Sequence, residues 1–328
     1  MMKKSLIALA VGTAVAAPAA HAVDFEMGDT KFSVGGTLEP SFESFNDASG
    51  DSVSQFTDND STLEFDFEHV LDDNLSAYGH IEYEFNFDES GSNAGGLDDL
   101  DSAELGFVGN FGTVQLGTYD TLYEDELAEL LDEFENAEVS DEADGDDGSG
   151  EGNQITYWSP GYGDGGFSFA AEIKHEGEAE GTVAGDSGTG ITLVGRFDMD
   201  NWGIVVGNDD RGAATAGGDF VEENTTGIGG YYTINDFEIR ARYADEANPG
   251  NNSDVEYVGV LGSYDYGPGS FNVAVQDVSP DQGNSFTELA ANVKHDLYDN
   301  LRVFFEIGQF DRQNDAGDRV ELGAIYSW

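Results

Sequence analysis

The sequence predicts an all-β protein, a transmembrane antiparallel β-barrel of about 16 strands. Three observations carry the prediction. Residues alternate apolar and polar with a period of two, short and long links between the alternating segments take turns along the chain, and the chain opens with an export signal.

The alternation is cleanest in Thr62-Leu63-Glu64-Phe65-Asp66-Phe67-Glu68, and it recurs in Ile81–Phe87, Phe237–Tyr243 and, less regularly, Arg319–Tyr326. A period of two sends successive side chains to opposite faces of a sheet. A soluble sandwich alternates too, but its connections are short and similar at both ends. Here tight links at 70–74, 109–112, 198–201, 234–236, 266–269 and 297–300 alternate with long polar stretches at 46–60, 88–100, 120–153, 175–189, 208–225, 245–253, 279–285 and 311–317. Short turns at one end and long loops at the other characterise a closed membrane barrel. The 44 glycines and only 6 prolines suit many strands and tight turns.

Lys3 and Lys4, the apolar run Leu6 to Ala17 and the small-x-small site Ala20-His21-Ala22 read as a secretory signal peptide cut after Ala22. Residues 1–22 are the signal and residues 23–328 one barrel domain. The apolar run falls short of the ~20 residues a spanning helix needs, and no long apolar run follows it, which excludes helical spans. The mature chain has 306 residues, with ten Lys and Arg against 67 Asp and Glu, a formal charge of −57. Such a chain repels nucleic-acid phosphates. Two readings of the acidity coexist: a surface adapted to the high salt of a halophilic source, and a lumen lined with carboxylates.

The chain has no cysteine, which excludes disulfides, thiolate metal sites and cysteine nucleophiles. His69, His80, His175 and His295 are dispersed, without the spacing of a metal site. No Gly-x-Ser-x-Gly elbow is present, and Gly227-Ile228-Gly229-Gly230 lies in a strand pattern with no helix following it. No enzyme activity and no cofactor are expected. Asp141, Asp144, Asp146 and Asp147 offer oxygen ligands for calcium, but they lack the spacing of an EF-hand loop and read as a solvated acidic tip. Tyr83, Phe87, Trp158, Trp202 and Trp328 lie near strand ends, where aromatic girdles form.

Two blocks flank the longest polar stretch: Ala103-Glu104-Leu105-Gly106-Phe107-Val108-Gly109-Asn110-Phe111-Gly112-Thr113-Val114-Gln115-Leu116-Gly117, and Asn153-Gln154-Ile155-Thr156-Tyr157-Trp158-Ser159-Pro160 with Gly166-Phe167. They resemble the fourth to sixth strands of the general diffusion porins of Gram-negative bacteria, and Phe32–Gly36 is consistent with the first. The resemblance implies an outer-membrane homotrimer whose third external loop folds into the lumen. It also implies a passive path for small hydrophilic solutes and cations, with membrane lipid and the barrel-assembly machinery as partners. The last strand places Val320, Leu322, Ala324, Tyr326 and Trp328 on one face, and Tyr326 with Trp328 is the expected assembly signal. Thr118 stands where members of that family often carry Arg, and the Pro-Glu-Phe-Gly-Gly constriction motif of its enterobacterial branch is missing.

The constricting segment is expected between Asp120 and Glu151, which hold 15 acidic residues and no Lys or Arg. Thr121 and Glu124 form a capping box for a helix. Leu127, Leu130, Leu131 and Phe134 keep helical spacing and are expected to pack on the wall. Asp120, Glu124, Asp125, Glu126, Glu129, Asp132 and Glu133 are its candidate pore residues, with Glu126, Glu129 and Glu133 turned to water. From Phe32 to Ile173 there are 36 acidic residues and no Lys or Arg. Lumen-facing parity gives Glu64, Asp66, Glu68, Glu82 and Glu84 on the early strands. Basic wall residues come only later, as Arg196, Arg240, Arg242 and Arg302, with Lys294 and Arg319 as further candidates. A wall of carboxylates attracts cations, so the channel is expected to be cation-selective, less so at high salt. Two alternatives stand beside it: a channel selective for sugars or a nutrient cation, and a secreted salt-adapted β protein.

Overall fold

The computed structural model describes residues 23–86, 99–137, 139, 154–175, 189–216, 219–247 and 254–328. Residues 1–22, with the cleavage site at Ala22, and the acidic tip holding Asp141, Asp144, Asp146 and Asp147 lie outside them.

The alternating segments pair into one antiparallel sheet of 19 strand pieces. These make 16 wall strands, because the first two are each broken once and the N-terminal piece Val23–Met27 stands apart. The wall begins with β1 (Thr30–Leu38 and Pro40–Asn46), β2 (Ser52–Asp58 and Thr62–Asp72), β3 (Leu75–Glu84), β4 (Asp99–Gly109), β5 (Gly112–Thr118) and β6 (Gln154–Trp158). It continues through β7 (Gly166–His175), β8 (Thr189–Met199), β9 (Trp202–Ala216), β10 (Asp219–Ile234) and β11 (Phe237–Ala247). It ends with β12 (Val255–Asp265), β13 (Gly269–Pro280), β14 (Phe286–Tyr298), β15 (Leu301–Phe310) and β16 (Arg319–Ser327). Each strand pairs with the next, and β16 pairs with β1 through Arg319↔Phe45 to Ser327↔Thr37, so the barrel is closed and has no free edge. Val23–Met27 pairs with the start of β1, and beside it the N–H of Trp328 bonds to the Gly36 carbonyl.

The faces separate as the alternation demands. Leu193, Ile204, Ile239, Val258, Val273, Ile307, Val320 and Leu322 are all exposed on one face. Arg242, Gln276, Glu306 and Glu321, on the other, are buried. A continuous exposed aliphatic band around a closed sheet is stable only against lipid. At the short-turn end aromatic pairs flank the band, among them Phe237–Tyr264, stacked at 4.5 Å, and Phe197–Trp202 at 5.7 Å. Asn235 there adopts φ 53°, the left-handed conformation that a two-residue hairpin asks of asparagine.

Two of the expected long stretches contain strand instead of loop. Ser52–Asp58 occupies about half of 46–60, and β9 and β10 run on through most of 208–225. The apolar alternation is lost in these ends, yet their backbones stay paired, from Pro40↔Asp58 to Asn46↔Ser52 and out to Ala216↔Asp219.

Candidate pore constriction

Beyond β5 the chain leaves the wall. Thr121 caps the helix α1 (Leu122–Glu126): its Oγ1 accepts from Glu124 N at 3.1 Å, and the Glu124 carboxylate accepts from Thr121 N at 3.3 Å. The helix is shorter than its apolar spacing suggested. Leu127 departs to φ −130°, and a 3-10 turn, Ala128–Leu131, follows.

The apolar stripe meets the polar face of the wall. Leu122, Tyr123, Leu127, Leu131 and Phe134 are buried. Leu122, Tyr123 and Leu127 pack with Ala170, Val194 and Val205, while Leu131 and Phe134 pack with Leu261, Ala274 and Ala290. Glycines make room for them. A Cβ at Gly207 would meet Leu127, one at Gly227 Tyr123, one at Gly229 Leu130, and one at Gly259 Leu131. Gly227 and Gly229 thus provide close approach for the segment, not a phosphate site.

Polar contacts clasp both ends and the middle. Glu172 of β7 accepts from Leu122 N at 3.1 Å and from the Thr156 hydroxyl at 2.8 Å. Glu306 of β15 accepts from three successive N–H groups, those of Glu135, Asn136 and Ala137, at 3.1, 2.8 and 2.7 Å. Between them Arg196 pairs with Glu126 at 2.9 Å, Arg240 with Glu133 at 2.9 Å and Lys294 with Glu135 at 3.0 Å. The Arg242 guanidinium donates to the carbonyls of Leu127 and Ala128, the negative end of α1. Asn292 donates to the Glu133 carbonyl, and Asn136 reaches Glu321 at 3.2 Å.

The expectation that Glu126, Glu129 and Glu133 face water therefore holds only in part. Glu126 is buried and Glu133 half-buried, each on an arginine, because the wall supplies cations where the segment's acids reach it. Glu129 stays half exposed, and its carboxylate lies with those of Asp120 and Asp125 within 4.8 Å of one another. Asp132 is exposed and Glu124 half exposed. Burial pushes the Glu126 carboxyl above the ordinary carboxylate range although Arg196 pulls it down. Asp125 is raised as well, by lost hydration and then by the charges of Glu129, Asp120, Glu126 and Glu124.

The wall of β2 to β4 is different. Glu64, Asp66, Glu68, Glu82 and Glu84 are half-buried on the polar face. The register sets Glu64 opposite Glu82, Asp66 opposite His80, and His80 opposite Glu104. Sequence reasoning missed Glu39 and Asp60. Both sit where β1 and β2 break side by side, with Asn59 N bonded to the Glu39 carbonyl and Glu39 N to the Ser61 hydroxyl, each at 3.0 Å. Both feel the charge of Glu135 at the tip of the segment. The signals were Pro40 after Glu39, and the turn-forming run Asp58-Asn59-Asp60-Ser61.

Arg302 and Arg319 are engaged elsewhere. Arg302 pairs with Asp296 at 2.7 Å near the short-turn end, away from the segment, and Arg319 lies 3.8 Å from Glu43. Trp158 is not a girdle residue: it packs on the cluster of Leu122 and Tyr123. Tyr326 is exposed on the apolar face, and Trp328 is half-buried where the barrel closes.

An apolar outer band, a charged inner face and a clasped segment resting on that face define a membrane-spanning β-barrel channel. The chain belongs to the Gram-negative porin family, whose model matches residues 6–315. A monosaccharide porin of Halomonas sp. and a major outer membrane protein of Halomonas elongata are each 28% identical to it, covering 99% of this chain and 100% of theirs. The anion-selective porin from Comamonas acidovorans shares the fold at a TM-score of 0.74 and 16% identity, covering 91% of this chain and 100% of that one.

Proposed function

We propose that the protein is a passive, water-filled channel of the outer membrane for small hydrophilic solutes, with a preference for cations. In this reading the polar face of the barrel is the lumen, and residues 120–137 narrow it. One observation carries the cation preference. Arg196, Arg240, Arg242 and Lys294 are engaged by the segment, whereas β2 to β4 present carboxylates and no Lys or Arg. Little positive charge is then left to oppose them, and a carboxylate wall concentrates cations. The name of the Halomonas monosaccharide porin fits a path for small neutral solutes. Tyr78, Tyr119 and Tyr123 on the inner side are buried by packing and offer no stacking path to a sugar, which favours diffusion over a dedicated sugar site.

The test is the reversal potential of purified protein in a planar bilayer under a KCl gradient. Cation preference is expected at low salt and is expected to fade as salt rises. It is also expected to fall on mild acidification, starting above the ordinary carboxylate range, because Asp125 and Glu126 keep their protons to higher pH. The same shift has a stability sign. A raised carboxyl pKa favours the folded form fully below the unfolded value, and that contribution is lost as pH rises through the folded value. An anion preference would assign the acidity to salt adaptation of the outer surface, and absence of conductance would return the chain to the secreted β class.

Processing and assembly belong to the same proposal: cleavage after Ala22, insertion guided by Tyr326 and Trp328, and a homotrimer. N-terminal sequencing of the membrane-extracted protein should start at Val23, and unheated samples should migrate as a heat-modifiable trimer. A soluble monomer retaining residues 1–22 would overturn this.

A further inference from the structure

The stretch from Phe32 to Ile173 holds no Lys or Arg, yet one side chain in the middle of its wall can carry a positive charge. His80 of β3 places Nδ1 2.7 Å from an Asp66 oxygen and Nε2 3.2 Å from a Glu82 oxygen. Carboxylates accept hydrogen bonds and do not donate them when ionised. A neutral imidazole has one N–H, so it can satisfy one of these contacts and must set a lone pair against a carboxylate at the other. Only the imidazolium, with two N–H groups, satisfies both.

The surroundings favour the same form. From β2 the ring faces Glu64 and Asp66, from its own strand Glu82, and from β4 Glu104, its register partner. Gln115 of β5 donates to Glu104 and brings no charge. His69, on the same wall, is placed differently: its Nδ1 meets the Thr30 hydroxyl at 2.8 Å near the short-turn end. His80 is partly open, at 21% side-chain exposure, so protons can reach it.

We propose that His80 is a specificity-determining residue of the pore, an imidazolium clamped between Asp66 and Glu82 that offsets part of the carboxylate wall and sets how strongly the channel prefers cations. The inference rests on the channel reading above and deepens it. Loss of the His80 proton removes a positive charge from the middle of this wall and strengthens the attraction for cations. Acid titration of the segment's carboxylates weakens that attraction at the other end of the pH range.

The experiment is the reversal potential under a KCl gradient for the wild type, His80→Gln and His80→Arg, from about pH 6 to about pH 11, which spans ordinary and carboxylate-stabilised imidazoles. In the wild type the cation-to-anion permeability ratio should rise about two- to threefold through a one-proton transition, the effect of one charge beside a screened aqueous path. His80→Gln keeps a hydrogen-bonding side chain without charge. It should start at the higher ratio and lack the transition. His80→Arg keeps the charge and should stay at the lower ratio across the range. The difference between the wild type and the Gln variant isolates His80 from other alkaline groups. Three superimposable profiles in conducting channels would overturn the His80 assignment alone. Wild-type protein that does not conduct would overturn the channel reading and this inference with it.

Discussion

Gly229→Leu is expected to lower single-channel conductance while leaving a folded, heat-modifiable barrel. The wall at this point has no room for a side chain, since a Cβ at Gly229 already overlaps Leu130 of the segment. Overpacking of this kind costs about 1–3 kcal/mol and is relieved by displacement of whichever partner yields more easily. The wall strand is held by ladders on both sides, to β9 and to β11, so the segment moves. Its ends cannot follow, because Glu172 holds Leu122 N and Glu306 holds the N–H groups of residues 135–137. The middle therefore bows away from the wall into the open cross-section. Gly262→Ala is the control, since a Cβ there meets nothing within 4 Å. Unchanged conductance for Gly229→Leu would mean that Leu130 does not rest on this wall in the membrane. Raised conductance would mean that the clasps at Glu172 and Glu306 are weaker than their geometry indicates.

The barrel was legible because its two signals are local. Alternation marks a strand within seven residues, as in Thr62–Glu68, and the turn residues of 234–236 or 297–300 mark its end. Where strands rise beyond the apolar band, as at the end of Trp202–Ala216, the alternation vanishes although the pairing continues. The start of helix α1 was equally local, a capping box spanning four residues. Its end was not, because Leu127 takes its dihedral angles where the segment packs on Ala170, Val194 and Val205. The partner of Glu126 lies 70 residues away at Arg196, and no periodicity connects two such positions. Glu39 and Asp60 remained hidden because the break in β1 has meaning only beside the break in β2.

These non-local pairs change what the basic residues are for. A buried ion pair is weak support for stability, since desolvation offsets much of its attraction, but removing one partner leaves the other charge stranded. Arg196 holds both Glu126 and Asp198, and Arg240 holds both Glu133 and Glu238, so each arginine joins the segment to the wall through two carboxylates. Cations used as clasps are largely neutralised where they stand. In the channel reading, the charge met by a passing ion is then set chiefly by the carboxylates that no wall arginine or lysine clasps to the segment, those of β2 to β4 foremost.

The triple variant Glu64→Gln, Asp66→Asn, Glu82→Gln is accordingly expected to lose most of the cation preference. Two unit charges 4 Å apart attract by about 1 kcal/mol even in bulk water, and three losses along one wall multiply. At low salt the permeability ratio should fall by roughly an order of magnitude, and by less at high salt, where screening has already reduced it. In this background His80 keeps its place without its two carboxylate partners, so any charge it retains adds to the loss. The companion variant Asp245→Asn, Glu256→Gln removes two exposed carboxylates that are paired in register on the outer face of β11 and β12. It should leave the ratio unchanged. If the outer pair lowered the ratio and the inner triple did not, the acidity would act as a diffuse surface charge suited to salt, and the lumen wall would have no part in selecting ions.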